Sequence, residues 1–488
     1  MAYFHGIRTQ EKEFVPPTTV GNNFQTVVAI GTSPVNMSTL PAPAATPVNQ
    51  LVVARTYDEA VSALGFSDDF ASYTLSEVIY SHFKLYRQGS PLVLINVLDP
   101  ATHTEIVPAA PVQLVKRRVT IDDPGIVLST LVVKSADGTT TYTANTDYTA
   151  SFDTKGNVLL IARNGGTIPS DVNTLSVNYT KLDPTKVTDE DIIGGFDETT
   201  GKRSGIELIE EVLPKYQVIP DKLIIPGYSS DPLIASAMLS KASDISGILK
   251  SGIIVDLPAD STVSAAIEWK NDNDYNSSRM IAAYPKGRYK GVVYNLSTLI
   301  AGTSVTAAAA NDGVPADSPS NKPIMVDSLV RADGTEIVIT KAQADQLNSN
   351  GIVTALNFTG TYTAWGNRTA AYPTSTDPQN SFIPVRDMFD WIQNNFIVQY
   401  WDRVDDRQIR RKVAAIVDDG NVWLNGLTAA GYLLGGSLEF VEADNPLNDL
   451  LNGKIVIRFK ITPPNPMEDI LGTFEYDLSN LVAAFTTA

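Results

Sequence analysis

The spacing of apolar and polar positions changes character three times along the chain. A polar stretch over 1–20 stops at Val15-Pro16-Pro17, and two apolar runs without alternation follow at 25–31 (QTVVAIG) and 92–98 (LVLINVL). Such runs are the pattern of strands buried on both faces. Between them, 40–47 reads as a Pro/Ala loop and 51–55 as a short strand. Thr56-Tyr-Asp-Glu59 and Thr74-Leu-Ser-Glu77 are capping-box signals that each open a helix, the second ending near Gly89. From 108 to 184 the helical period disappears. β-Branched runs at 131–134, 139–143, 158–162 and 175–179 alternate with turn signals such as Asp137-Gly138 and Asn164-Gly165-Gly166. This predicts an all-β domain inserted into an α/β domain, with proline near both junctions.

Alternation then resumes. Ser204-Gly-Ile-Glu207 predicts a third capped helix, Asp231 with Pro232 a helix running to about 249, and Thr340-Lys-Ala-Gln343 another cap. Strands are predicted at 222–226, 253–257, 280–284 and 352–358, a helix at 262–270, and an Ala/Ser/Pro-rich loop at 301–323. Beyond Pro384, Val385, Met388, Phe389, Ile392 and Phe396 recur at helical spacing, predicting a helix over 386–401. Helices at 405–417 and 422–434 and strands at 437–441 and 454–461 follow, then Pro463-Pro464 and Pro466. The fold class is mixed α/β and multidomain. Its parts are an N-terminal arm (1–20), a discontinuous α/β core (21–107 and 185–380), the inserted all-β domain (108–184), a C-terminal α+β domain (381–466) and a C-terminal arm (467–488).

Charge and cysteine content narrow the function. The chain carries 37 basic and 54 acidic residues, a net charge of −17, which argues against binding a nucleic-acid backbone. No apolar run is long enough to cross a membrane, so membrane insertion is not expected. Residues 1–10 lack the apolar centre of a secretory signal. With no cysteine there are no thiolate metal sites or disulfides, and the expected place of synthesis is a reducing cytoplasm.

Candidate chemistry is sparse. His5, His82 and His103 show no metal-helix spacing. The segment 195–202 (GFDETTGK) has five residues between its glycines instead of four, and Arg203 where a phosphate loop needs Ser or Thr. Asp272, Asp274 and Asn276 start like a calcium loop, but Ser277 and Ala283 replace the required Gly and acid. Asp231, in a stretch resembling a nucleophile elbow, is better read as a helix cap. The acidic groups 189–191, 405–406 and 418–419 read as exposed turn or helix-start residues. No catalytic, metal or cofactor site is predicted.

Arg403, Arg407, Arg410, Arg411 and Lys412 form a basic cluster, four of whose members would share one face of a helix. It is either a solvated face paired with Asp402, Asp405 and Asp406 or a docking surface for an acidic partner. The two strands at 437–461 would form a ribbon with both edges open, which is marginal in isolation. The strand-like termini at 3–14 and 471–478, with Tyr3, Phe4, Ile7, Phe14, Phe474 and Tyr476, are candidates to cover those edges, in the same chain or in a neighbour.

Several segments carry a family resemblance: His5-Gly-Ile-Arg8 with Glu11 and Glu13, 192–216, 223–227, Trp365-Gly366-Asn367-Arg368-Thr369, Ala430 to Gly435-Gly436, Asn452-Gly-Lys454 and Thr462-Pro-Pro464. Together they resemble the tail sheath proteins of contractile phage tails and phage-tail-like particles. The inserted β domain matches none of this pattern. The resemblance implies a non-enzymatic structural subunit without cofactors. It implies hexameric rings stacked around a tail tube protein, contraction that drives the tube through a cell envelope, and terminal arms that add strands to neighbours. Baseplate and tail terminator proteins are the further partners implied, and the host bacterial cytoplasm is the implied place of assembly. Under this reading the basic cluster faces the tube. The alternative is an α/β hydrolase-like enzyme with an accessory β domain.

Overall fold

In a computed structural model, the described residues are 25–40, 47–153, 156–260 and 262–486. The N-terminal arm and its Tyr3, Phe4, Ile7 and Phe14 lie outside them.

The central element is an eight-stranded sheet made of β1 (Val27–Gly31), β2 (Leu51–Ala54), β3 (Leu92–Asn96), β4 (Lys222–Ile224), β5 (Gly252–Asp256), β6 (Met280–Ala283), β7 (Ile352–Asn357) and β8 (Tyr362–Trp365). The spatial order is β2-β3-β1-β4-β5-β6-β7-β8. The six inner strands run parallel, while β2 and β8 close the edges antiparallel. Every residue of β1, β3 and β5 is buried, as expected where helices cover both faces. The covering helices include α1 (Tyr57–Leu64), α2 (Thr74–Tyr80), α3 (Pro232–Ser243), α4 (Val263–Asp272), α5 (Leu296–Ala309) and α6 (Lys341–Asn348). A small four-stranded sheet (Lys286–Tyr289, Val292–Tyr294, Ser328–Val330, Glu336–Ile337), which the pattern did not signal, lies beside α5.

Local signals and structure part company at three places. Thr340 and Gln343 form the reciprocal capping box, and Asp231 caps α3 through the Leu233 amide, as the sequence predicts. Thr74 instead is the first residue of α2, and its hydroxyl accepts from the Thr32 amide while Glu77 turns inward. Ser204 opens a 3₁₀ segment, Gly205–Glu211, and its hydroxyl accepts from Gly195 N. The first part of the predicted 301–323 loop is α5, buried at almost every position. Its small Ala, Ser, Thr and Gly residues have no polar face to show a helical period, and Gly302 lets the ring of Tyr86 rest on the helix backbone.

The insertion builds two sheets, one of four strands and one of three, around an apolar cluster of its own that includes Ile126, Val133, Leu160 and Leu175. Its first and last strands, Thr104–Gln113 and Thr174–Leu182, pair antiparallel from Thr104↔Leu182, so entry and exit are adjacent. The first strand begins at Thr104, not 108, and it contains Pro108 and Pro111. Proline is tolerated there because the strand is a sheet edge.

The C-terminal unit packs α7 (Ile383–Tyr400) and α8 (Arg410–Ala429) against a ribbon of β9 (Gly435–Glu439) and β10 (Arg458–Thr462). The helices predicted at 405–417 and 422–434 are one continuous helix. No strand forms at 471–478; the tail has no regular structure until α9 (Leu478–Thr486).

Because the insertion has its own core, Leu160→Ala is expected to cost it about 2–5 kcal/mol. Hydrogen exchange should then rise in Val158–Ala162 while β1 and β3 keep their protection. An equal rise in both would show that the two cores unfold as one.

Candidate assembly surfaces

Open α/β sheets bind ligands beyond the carboxyl ends of their strands, where the strand order switches direction. Here that crevice, at the ends of β1 and β4, is filled by the chain itself. Thr32 and Thr74 exchange amide-to-hydroxyl bonds of 3.2 and 3.3 Å, and the Leu75 amide donates to Thr32 O. A Cβ on Gly31 would lie 2.2 Å from Thr74 Oγ1, so the packing requires glycine. Nearby, the N-terminus of α5, a place where an anion would bind in a nucleotide fold, meets two internal carboxylates. Glu77 accepts from Asn295 N and Nδ2, both at 2.8 Å, and Asp256 accepts from Ser297 N at 2.8 Å and Ser297 Oγ at 2.5 Å. Burial pushes the Glu77 carboxyl up to about 8 and raises Asp256 as well.

His82 and His103 have structural partners, and His5 lies outside the described residues. His82 is buried, bonds to Ser90 O at 2.9 Å, and is pushed down to about 4 by burial. His103 sits between the Asp99 amide and Asp191. Residues 195–202 form a hairpin whose turn is tied by Asp197 to Thr199 and Thr200. Among the described residues no group of three His, Asp or Glu side chains is placed to hold a metal ion.

The C-terminal unit joins the core through polar contacts on one face of α7. Lys222, only 2% exposed, reaches Asp387 at 2.6 Å; Arg279 and Arg386 converge on Asp390; Asn394 brackets both backbone groups of Lys250. Burial raises the Asp387 carboxyl more than Lys222 lowers it. The opposite face, with Met388 and Ile392, packs on Leu424, Leu427 and Leu438. Gly436 lies where a Cβ would be 3.0 Å from Leu424, while Gly435 has open space around it.

Only part of the predicted open ribbon is open. Asn421 on α8 donates to Leu438 O at 3.0 Å and accepts from Leu438 N at 2.8 Å. The helix therefore meets the outer side of β9. The outer side of β10 has no strand partner among the described residues. Phe474 and Tyr476 are 98% and 78% exposed, and Leu478, Leu481 and Phe485 of α9 are also exposed.

The basic cluster does not lie on one helix face. Arg403 ends a 3₁₀ turn, Arg407 is in an irregular segment, and α8 begins only at Arg410, after Asp405 adopts φ +63° and Ile409 an extended conformation. Arg403, Arg407 and Lys412 instead line a hollow of about 90 Å³ with Asp406 and Asp419; Arg410 and Arg411 are outside it. All five side chains reach the surface, Lys412 while paired with Asp406. In the 365–369 motif, Gly366 adopts φ +140°, Asn367 O accepts from Ile383 N, Asn367 Oδ1 accepts from Ser318 Oγ, and Arg368 reaches Glu468. Spacing had no means of pairing residues so far apart.

No protein-family model matches the chain. The tail sheath protein of Burkholderia phage BcepMu is 28% identical to it over 496 residues, covering 98% of this chain and 97% of that one. The chain is thus similar, from end to end, to a phage tail sheath protein. Two solved structures share the fold over 98% of the chain. The sheath complex of the PVC extracellular contractile injection system in its contracted state superposes with a TM-score of 0.56 at 11% identity, covering 98% of this chain and 99% of that one. A chain of the anti-feeding prophage baseplate does so with a TM-score of 0.54 at 13% identity, covering 98% and 100%. The hydrolase alternative finds no support, since the relatives are named as tail sheath proteins. For a sheath protein, a filled ligand crevice and a surface rich in unpaired apolar tail residues are compatible features.

The buried Glu77 gives a pH signature. Its folded value, about 8, lies above the unfolded 4.5, so its contribution is complete below pH 4.5 and is lost as pH rises through 8. Asp221, raised to about 7 by burial, acts in the same direction. Urea unfolding between pH 5 and 8 should show stability falling with pH, and Glu77→Gln should flatten that fall. An identical slope in the variant would remove Glu77 as its source.

Proposed function

We propose that the protein is the polymerising subunit of a contractile tail sheath, stacked as hexameric rings around a tail tube and contracting to drive that tube through a cell envelope. The end-to-end match to a phage tail sheath protein carries this reading. Assembly in a bacterial cytoplasm, with a tube, a baseplate and a terminator as partners, belongs to the same proposal. So does the division into a discontinuous core, an accessory insertion, a C-terminal domain and two arms.

The open side of β10 supports arm exchange between subunits. An added strand of about five residues supplies several backbone bonds, each worth a net of about 0.5–1.5 kcal/mol. Two arms per subunit, summed over a lattice, hold neighbours together through a large rearrangement. Removing residues 1–20 is expected to abolish sheath formation, seen by negative-stain microscopy, and to leave subunit unfolding nearly unchanged. Truncated protein that still forms sheaths would end the arm proposal.

The surface carrying Arg403, Arg407, Arg410, Arg411 and Lys412 is proposed to face an acidic tube. Charge pairs at such a surface guide register and weaken with salt. Arg407→Glu with Arg411→Glu should impair co-assembly with tubes and spare the fold by circular dichroism. Binding indifferent to both substitution and salt would place the tube elsewhere.

A further inference from the structure

Arg368 follows β8 on the core and precedes the C-terminal unit; Glu468 comes just after that unit. The guanidinium lies 3.8 Å from the ring centre of Phe382 and 4.5 Å from that of Tyr372. It donates to Ser381 Oγ at 3.1 Å and to the Glu468 carboxylate at 2.5, 3.0 and 3.1 Å. We infer that this pair is a fixed clamp within each chain, tying both ends of the C-terminal unit to one point on the core and limiting how far the unit and its tail travel.

Three observations carry the inference. The cation is stacked against two rings as well as bonded to the carboxylate, and its planar fork suits a carboxylate better than a lysine would. Residues 463–488 contain no Lys or Arg and four acids, Glu468, Asp469, Glu475 and Asp477. Of these, Glu468 alone forms an ion pair among the described residues. Finally, the connection is short. From Thr462, the last residue of β10, to Glu468 the chain spans at most about 20 Å, and Pro463, Pro464 and Pro466 stiffen it. While the clamp is closed, the Thr462 end of β10 stays within that distance of Glu468. The part of the tail free to reach another subunit begins at Asp469, and α9 starts within about 35 Å of Glu468. Persistence of the clamp in an assembled particle rests on the sheath reading; its presence in the free subunit does not.

The chain has no cysteine, so a pair can be introduced cleanly. Asp345 and Met467 line the same hollow of about 580 Å³ beside the clamp. Protein carrying Asp345→Cys and Met467→Cys, treated with a short bis-maleimide, should cross-link within one chain, both as free subunits and in particles. Adding Glu468→Ala or Arg368→Ala should lower the yield about two- to fivefold, the scale of one exposed ion pair. Glu468 is the more exposed partner, so its variant keeps the test informative where Arg368→Ala unfolds. Yields unchanged by both substitutions, no cross-link in the parent, or cross-links between chains in particles would overturn the clamp. Failure of the untreated cysteine protein to polymerise would count against the sheath reading alone, because free-subunit yields decide the clamp.

Discussion

The ion pair between Lys222 and Asp387 joins two parts of the molecule that are 165 residues apart in the chain. Lys222 starts a central strand and is almost fully buried, so its charge needs a partner at that spot. Removing one member of a buried pair typically costs about 3–5 kcal/mol, because the other charge is left uncompensated. Helix α7 supplies the partner and adds Asp390 and Asn394 along the same face. Its other face then builds the apolar contacts of the C-terminal unit. Helix α8 and the ribbon pack on that second face of this one helix.

Polar docking fixes the register between the C-terminal unit and the core. An apolar interface slides with little penalty between neighbouring registers, whereas forked Arg279–Asp390 contacts and the bracketed Lys250 backbone specify one. The same logic holds at Arg368. The core therefore presents two specific attachment points to the C-terminal unit, while apolar side chains of the tail such as Phe474, Leu478 and Phe485 are exposed. In a sheath subunit this division separates what stays within a chain from what neighbours share.

The crevice at the sheet's carboxyl ends shows how a common fold is emptied of ligand chemistry. Glycine at 31 and 227, hydroxyls at 32 and 74, and carboxylates at 77 and 256 are residue types that ligand sites use. Here they satisfy one another and the first amides of α5. The side chains at 32, 74, 77 and 256 each have an identified partner.

Local chemistry was legible wherever it was self-contained. Strands such as Val27–Gly31 and Leu92–Asn96 announce themselves because both faces are apolar, and Thr340–Gln343 and Asp231-Pro232 because a cap is completed within four residues. The order of family segments was legible for the same reason: each is a short string. Helix α5 was hidden because a helix buried all round has no polar face to mark its period. Thr74 and Glu77 had the spacing of a cap, yet tertiary partners at Thr32 and Asn295 took their side chains. The supposed basic helix face dissolved because Asp405 and Ile409 break the helix before Arg410. Asn421 on Leu438, Lys222 on Asp387 and Arg368 on Glu468 depend on side chains that meet only after folding. Sequence alone thus determined the buried strands, the self-contained caps at Thr340 and Asp231, and the absence of cysteine. Which edges are closed, which charges are paired and where the tail is held were decided by tertiary structure, because a hydrogen bond or ion pair is specified by distance in space and not along the chain.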